Sequence, residues 1–196
     1  MERKELQTVV KPYTIRDLGP VDPGPILERL ARLNDRVWAL EDACKENKFF
    51  CFTQTRHIVH RFIPQNNDPR QSYETPAWML WKDLLEPVMQ VASAGYGYRD
   101  PRFPKAMFAR LEAGGEIDRH KDGAGSNLVA HKIHVPLHTN PEAYFSVGDD
   151  EFHLEFGRAY EVNNIRSHAA RNGGTEDRIH FIFELYEGAQ QAVVQQ

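Results

Sequence analysis

Residues 132–138 read Lys-Ile-His-Val-Pro-Leu-His, and residues 178–185 read Arg-Ile-His-Phe-Ile-Phe-Glu-Leu. Apolar and polar side chains alternate in both stretches, which predicts two strands that each have one apolar and one polar face. The polar faces carry Lys132, His134 and His138 in the first strand and Arg178, His180 and Glu184 in the second. Such a face lies either on a solvated sheet surface or in the mouth of a barrel, and alternation alone does not distinguish the two.

A second pattern consists of His120-Lys121-Asp122, the later His168, and Arg178, which stands ten residues after His168. Residues two apart on an extended segment point to the same side, so His120 and Asp122 can reach one point together. An antiparallel strand that returns His168 to them would place two imidazoles and one carboxylate on one side of a metal. This ligand set leaves the opposite positions open, as in non-haem Fe(II) oxygenases. Arg178 would then bind the carboxylate of an organic co-substrate.

Turn signals divide the second half of the chain into short segments, and two helical patterns precede them. The first amphipathic pattern, Pro25 to Glu46, predicts a helix with Pro25 as its first residue. The second runs from Trp78 to Ala94, and Pro87 is expected to kink or split it. The turn signals stand at Gly114-Gly115, Gly123–Gly125, Asn140-Pro141, Gly148–Asp150, Gly157 and Gly173-Gly174. Short strands at this spacing predict a mainly β fold, a sandwich or jelly roll with flanking helices.

The remaining segments give weaker predictions. Residues 1–24 are interpreted as an extended lead-in with a short strand at residues 7–10, and residues 49–63 as one or two strands. His57 and His60 in that stretch are expected on a strand surface, with a place in a pocket as the alternative. The long segment 64–76 has no periodic pattern and is either a lid or a plain surface connection.

Composition excludes some functions. The 196 residues carry a net charge of −4, which gives no basic surface for nucleic acid, and no apolar run approaches the roughly 20 residues that cross a bilayer. The N-terminus lacks the apolar core of a signal peptide, and Cys44 and Cys51 are expected to be reduced, buried thiols. We therefore expect a cytoplasmic protein without nucleic-acid or membrane partners. The sequence does not indicate an oligomeric state.

The stretch 109–187 resembles the aspartyl/asparaginyl β-hydroxylase family of Fe(II)- and 2-oxoglutarate-dependent oxygenases. The motifs that carry the resemblance are His120-Lys121-Asp122, residues 132–137, Phe145, residues 157–164, residues 168–174 and residues 178–184. The resemblance implies a double-stranded β-helix, a cupin-like jelly roll, with helices packed outside it. It also implies His120, Asp122 and His168 as iron ligands and Arg178 as the partner of the distal 2-oxoglutarate carboxylate. Lys132 and His134 are implied near the other end of the co-substrate.

Two residues depart from the family pattern. The position of Lys132 often holds arginine in the family, so a bidentate fork is replaced by a point charge. The animal endoplasmic-reticulum hydroxylase that names the family lacks the carboxylate ligand, which Asp122 supplies here. The chain is therefore closer to bacterial and phage-like members, some of which resemble free amino-acid hydroxylases, and is not expected to act on secreted domains.

These observations lead to one functional prediction and two alternatives. We predict a hydroxylase that uses Fe(II), 2-oxoglutarate and O2 to oxidise an unactivated C–H bond of an amino acid, a peptide side chain or a small metabolite, releasing succinate and CO2. A single domain is expected over residues 1–187, with 1–104 supporting a jelly-roll core over 105–187, followed by a frayed tail over 188–196. The alternatives are a cupin-like metalloenzyme that does not use 2-oxoglutarate and a non-catalytic jelly-roll binding module.

Overall fold

Strands dominate the computed structural model, which describes residues 6–46, 52–123 and 125–189. The strands are β1 (Ile15–Pro20), β2 (Thr55–Phe62), β3 (Tyr73–Glu74), β4 (Pro101–Arg102), β5 (Ala106–Leu111), β6 (Glu116–His120), β7 (His131–His138), β8 (Ala143–Val147), β9 (Asp150–Phe152), β10 (Arg158–Val162), β11 (His168–Asn172) and β12 (Arg178–Glu187). The α-helices are α1 (Gly24–Leu30), α2 (Asp35–Ala43), α3 (Pro76–Ser93) and α4 (Ser126–Val129). None of the described helices is long and apolar enough to span a bilayer.

The strands form two antiparallel sheets. The larger sheet has eight strands in the order β1-β10-β7-β12-β5-β2-β3, with β4 pairing onto β12. The smaller sheet has four strands in the order β6-β11-β8-β9. Side chains of both sheets meet in a cluster that includes Leu111, Phe145, Tyr160 and Ala170. The predicted fold class, mainly β with flanking helices, is confirmed.

The alternation in β7 and β12 separates a helix-packed face from a face that lies between the sheets. Ile133, Val135 and Leu137 join the core cluster that contains the buried residues of α1 and α3. Phe181, Phe183 and Leu185 of β12 belong to the same cluster. The two predicted apolar faces are therefore confirmed, and the opposite, polar faces are directed away from the helices.

The predicted helix over residues 25–46 is wrong in its length, because the structure has two helices there. Asn34 ends the first pattern: its backbone is extended, and its side chain accepts a hydrogen bond from the backbone amide of Val37 at 3.2 Å. An asparagine in this position caps a new helix, which outweighs the continuous apolar spacing. The pattern of Ile26 and Leu30 therefore ends in α1, and α2 starts afresh at Asp35.

The helix α3 runs through Pro87 as one element, so the split is wrong, and the kink, which was the other expected effect of Pro87, stays a prediction. Pro87 lies on the exposed side of α3, whereas Leu85, Val88 and Met89 are buried. Proline removes one backbone donor from the helix, and on the exposed side the carbonyl left without it can be solvated. Burial of the apolar side then holds the helix together on both sides of Pro87.

The lead-in contains a strand, but not at the predicted place. Residues 7–10 form no strand, although the Val9 amide donates to the Leu128 carbonyl at 3.0 Å. The strand is β1, which pairs with β10 at the edge of the large sheet. Its sequence, Ile-Arg-Asp-Leu-Gly-Pro, has little alternation, so its pairing depends on β10 rather than on a pattern of its own.

Four smaller predictions were also wrong or are only partly described. His57 and His60 are buried and not on a strand surface, and His57 lines a cavity, which was the alternative for both residues. Cys44 is exposed, not buried. Residues 47–51, with Cys51, and residues 190–196 of the predicted tail lie outside the described residues. Within the segment 64–76 the structure has two short 3-10 helices and β3. Whether this segment is a lid stays a hypothesis.

His60 should make the stability of the fold depend on pH. Its ring is wholly buried and lies edge-on to Phe108 at a centroid distance of 4.6 Å, and burial lowers the pKa of His60 from 6.5 to about 3. Below pH 6.5 the unfolded chain binds a proton that the folded chain does not. The free energy of unfolding should therefore decrease as the pH is lowered from 6.5 towards 3. His60 contributes up to about 1.4 kcal/mol per pH unit to this decrease.

The variant His60→Phe tests this expectation, because phenylalanine fits an aromatic cluster and does not titrate. Between pH 6.5 and 5 the variant should lose about 2 kcal/mol less unfolding free energy than the wild type does. Denaturant unfolding of metal-free protein at several pH values measures the slope. Trp81→Phe, which alters the same aromatic cluster without changing a titratable group, is the control and should keep the wild-type slope. Equal slopes in wild type and His60→Phe would contradict the expectation.

Candidate metal centre and the adjoining cavity

His120, Asp122 and His168 come together at one edge of the small sheet. His120 ends β6 and His168 begins β11, and the two are direct partners in the antiparallel register. Asp122 follows β6 by two residues, and its Oδ1 lies 3.8 Å from His120 Nε2 and 4.0 Å from His168 Nε2. One donor atom from each residue lies within 4.8 Å of the other two. The structure thus brings together the three residues that the sequence predicts as ligands.

Backbone carbonyls set the tautomers of both histidines. His120 Nδ1 lies 2.7 Å from the Asp118 carbonyl oxygen, and His168 Nδ1 lies 2.9 Å from that of Arg166. Because a carbonyl only accepts, Nδ1 must carry the proton in each ring. In the neutral form of each ring, Nε2, which faces Asp122, is then the nitrogen without a proton. Both imidazoles are ready to bind a metal through Nε2, with the second nitrogen held as is usual for metal-binding histidines.

One oxygen of the Asp122 carboxylate, Oδ2, is hydrogen-bonded, and the other, Oδ1, faces the two histidines. Its Oδ2 accepts from the Lys132 ammonium and, at 2.8 Å, from Asn164 Nδ2. Its backbone amide donates to the Asn164 carbonyl at 2.9 Å. Burial opposes ionisation, but Lys132, His168 and the Asn164 amide together outweigh it and hold the pKa of Asp122 well below its usual range. Asp122 is therefore a carboxylate at neutral pH, with Oδ1 directed to the imidazoles.

His168 is neutral over most of the pH range. It is 6% exposed, and burial lowers the pKa of His168 to about 4 although the Asp122 carboxylate favours the protonated ring. A metal therefore does not have to displace a proton from His168 at neutral pH. Two nitrogens and one oxygen on one side of a point fit a divalent metal such as Fe(II) that keeps open positions.

A cavity of about 680 Å³ adjoins this centre and extends between the two sheets. This volume is typical of a small-molecule site. Next to the three candidate ligands its wall contains Lys132, His134 and Phe145. The wall also includes the buried ion pair Lys105–Glu184, at 2.9 Å, apolar side chains and a group of residues from before position 70. One of these residues, Phe52, lies edge-on to His120 at a ring-centroid distance of 5.8 Å. The group consists of Lys45, Glu46, Phe52, His57, Val59, Phe62, Gln65 and Asn66.

Arg178 does not lie on the cavity wall, although Lys132 and His134 do. Its Nη2 is 2.8 Å from His180 Nδ1, which in turn is 3.3 Å from His134 Nδ1. The side chain is 4% exposed and has no carboxylate partner within the described residues. Burial lowers the pKa of Arg178 to about 9, so it is still a cation at neutral pH. Within the described residues, Arg178 is therefore a positive charge without a carboxylate partner, and the His180 ring separates it from the wall residue His134.

A protein-family comparison adds an independent observation: residues 88–187 match the family model described as aspartyl/asparaginyl beta-hydroxylase. This match covers half of the chain. The chain belongs to this family. Every predicted ligand and co-substrate residue falls inside the matched region, and the resemblance that the motifs indicated is confirmed.

Solved structures show the same fold. A 2OG-Fe(II) oxygenase family oxidoreductase from Burkholderia pseudomallei is 13% identical, with a TM-score of 0.56 over 78% of this chain and 77% of that one. A prolyl-4-hydroxylase from Pseudomonas putida is 13% identical, with a TM-score of 0.50 over 89% and 92% of the two chains. A viral collagen prolyl hydroxylase from Paramecium bursaria Chlorella virus-1 is 9% identical, with a TM-score of 0.50 over 88% and 95%. A search of curated proteins gave no significant match.

Together, family and fold point to a 2-oxoglutarate- and Fe(II)-dependent oxygenase of the aspartyl/asparaginyl β-hydroxylase family. Sequence reasoning missed two lysines around its centre. Lys11 and Lys105 both precede the candidate ligands in the chain, and Lys11 also lies outside the matched region. A lysine in a polar segment looks like any solvated lysine, so no pattern in the sequence would have indicated Lys11.

Proposed function

We propose that this aspartyl/asparaginyl β-hydroxylase family member is an Fe(II)- and 2-oxoglutarate-dependent dioxygenase that hydroxylates an unactivated C–H bond, with release of succinate and CO2. The observation that carries the proposal is the set of three donor atoms, two Nε2 and one Oδ1, on the wall of a substrate-sized cavity. Both imidazoles are already in the tautomer that a metal needs.

His120, Asp122 and His168 are proposed to hold the iron. Bound iron and 2-oxoglutarate would supply the oxidising chemistry, with one oxygen atom of O2 entering the substrate and the other entering succinate. The protein holds the ligand geometry through Asn164 and the two backbone carbonyls, which fix the direction of the donor atoms.

Lys132, His134 and Arg178 are proposed to bind the co-substrate. Lys132 and His134 stand beside the metal side of the cavity, and Arg178 contributes a buried positive charge behind them. A dianion such as 2-oxoglutarate compensates such charges, whereas a neutral ligand does not. Among the residues that the structure describes, Arg178 is connected to the wall through His180 and His134, so its direct contact with a carboxylate stays part of the proposal.

The part of the cavity next to the Lys105–Glu184 pair is proposed to bind a small polar substrate, either a free amino acid, a peptide side chain or a small metabolite. Met107 and Val59 offer apolar contact, and the Lys105–Glu184 pair offers both charges. Glu184 Oε2 has no hydrogen-bond partner within the described residues. A purely apolar substrate would leave this carboxylate oxygen unpaired, which disfavours it.

An anaerobic titration of the Fe(II)-loaded protein with 2-oxoglutarate tests the proposal. Chelation of the iron by the keto acid is expected to produce a visible charge-transfer band that saturates with added 2-oxoglutarate. Succinate, which lacks the keto group, is the matched control and should give no band. Bound iron without a band would favour a cupin-like metalloenzyme that does not use 2-oxoglutarate. Absence of iron binding would leave a jelly-roll binding module.

A further inference from the structure

The lead-in segment 9–14 is attached to the loop 163–166 by several hydrogen bonds, although the two are far apart in the chain. Asn163 donates its backbone amide to the Thr14 carbonyl at 2.8 Å and its side-chain amide to the Pro12 carbonyl at 2.8 Å. Arg166 Nη1 donates to the Tyr13 carbonyl at 3.0 Å. This loop immediately precedes His168, and the Arg166 carbonyl is the one that fixes the His168 tautomer.

Lys11 lies at the centre of this attachment. Its ammonium donates to Asn164 Oδ1 at 2.7 Å and to the Ala130 carbonyl at 2.6 Å. Neither acceptor is a carboxylate, and Lys11 forms no ion pair with any described residue. Burial lowers the pKa of Lys11 to about 8, so the side chain is still mostly protonated at pH 7. A partly buried cation that binds only neutral acceptors is costly, which raises the question of what it does.

The Asn164 amide is the only group between Lys11 and the candidate ligand Asp122 along this path of hydrogen bonds. Asn164 is wholly buried, and its Nδ2 donates to Asp122 Oδ2 at 2.8 Å and to Asn127 Oδ1 at 3.1 Å. An amide can be turned over, which would direct its oxygen at the carboxylate and place two acceptors together. The Lys11 ammonium only donates, so it holds the oxygen on its own side and leaves the nitrogen for Asp122.

We propose that Lys11 is a positioning residue for the metal centre, which acts by fixing the Asn164 amide in the orientation that holds Asp122. The inference rests on the proposed role of Asp122 as a metal ligand. It places part of the metal centre in a segment far outside the region that matches the family. Charge and position have opposite effects here: a cation near the site repels a metal ion, whereas correct placement of Asp122 strengthens binding.

A double-mutant cycle on Co(II) binding, followed by the visible bands of the bound ion, tests this role. Lys11→Met should weaken Co(II) binding about tenfold in the wild-type background, the lower end for residues that orient metal ligands. In the Asn164→Ala background the same substitution should cause no further loss of Co(II) binding, because its path to Asp122 is already lost. Lys11→Arg, which keeps a long donor, should restore binding. Arg16→Met, which removes a cation bonded to Glu161, should leave binding unchanged.

Results that differ from these expectations overturn the proposed role of Lys11. Tighter Co(II) binding by Lys11→Met would show that repulsion of the ion dominates, and equal losses in both backgrounds would show that Asn164 is not the path. Should the methionine variant fail to fold, Lys11→Gln, with its shorter side chain, replaces it with the same expected loss. If Lys11→Met binds Co(II) as tightly as the wild type does, and His168→Ala abolishes binding, the role of Lys11 is overturned and the proposed metal centre stands. If His168→Ala also binds Co(II) as tightly as the wild type does, the proposed function is overturned as well.

Discussion

Replacement of His168 by alanine is expected to weaken Fe(II) binding by at least about a hundredfold, more than the loss of an outer residue that orients a ligand. His168 supplies one of only three donor atoms in the cluster, and its Nε2 is already unprotonated. The loss of 2-oxoglutarate turnover should follow the loss of iron. Equilibrium titration of Fe(II) under anaerobic conditions measures the effect on binding directly.

The control for this variant is His153→Ala. His153 also bonds a backbone carbonyl through Nδ1, that of Ala143 at 3.0 Å, but it belongs to neither the cluster nor the cavity wall. Iron binding by this control should equal that of the wild type. Wild-type iron affinity in His168→Ala would remove His168 from the ligand set and with it the proposed centre.

Asp122 is a less suitable position for the same test, because it has two functions in the structure. Besides its Oδ1 in the cluster, its Oδ2 accepts from Lys132 and Asn164. Removal of the carboxylate would leave the Lys132 ammonium without its partner and would destabilise the fold along with the site. A loss of iron in an Asp122 variant therefore has two explanations, whereas His168→Ala leaves no buried charge without its partner.

The candidate ligands could be found from the sequence because their signal is local. His120 and Asp122 are two residues apart, and His168 returns on the neighbouring strand of a sheet whose turns are visible in the chain. The faces of β7 and β12 follow from alternation for the same reason. In each case a few consecutive residues determine the side on which a group lies.

The support of the centre could not be found in this way. Lys11 and Asn164 are 153 positions apart, and only the completed fold brings them together. His60 was expected on a strand surface, but α3 covers that side of β2 and buries it. No pattern within β2 reveals this cover. The break at Asn34 shows the opposite case, a local cap that overrides a regular apolar spacing. Burial and long-range polar contacts therefore account for most of the differences.

Arg178→Met is expected to have two effects of opposite sign. The buried guanidinium has no carboxylate partner within the described residues, so its removal should raise the unfolding free energy of the protein without ligands or leave it unchanged. An anionic co-substrate would supply the missing partner, and loss of such a pair commonly costs 2–5 kcal/mol of binding, so the affinity for 2-oxoglutarate should fall by about a hundredfold. Iron binding should not change, since Arg178 touches none of the three candidate ligands.

The two effects together separate a co-substrate role from a structural one. If Arg178 serves only the fold, its removal should lower the unfolding free energy. If it serves to bind an anion, its removal should raise the unfolding free energy or leave it unchanged. The anaerobic 2-oxoglutarate titration and denaturant unfolding measure the two quantities on the same variant. Arg171→Met, at an exposed arginine that pairs with Glu151, is the control and should change neither. An unchanged 2-oxoglutarate affinity in Arg178→Met would mean that His134 and Lys132, which line the cavity, bind the co-substrate without it.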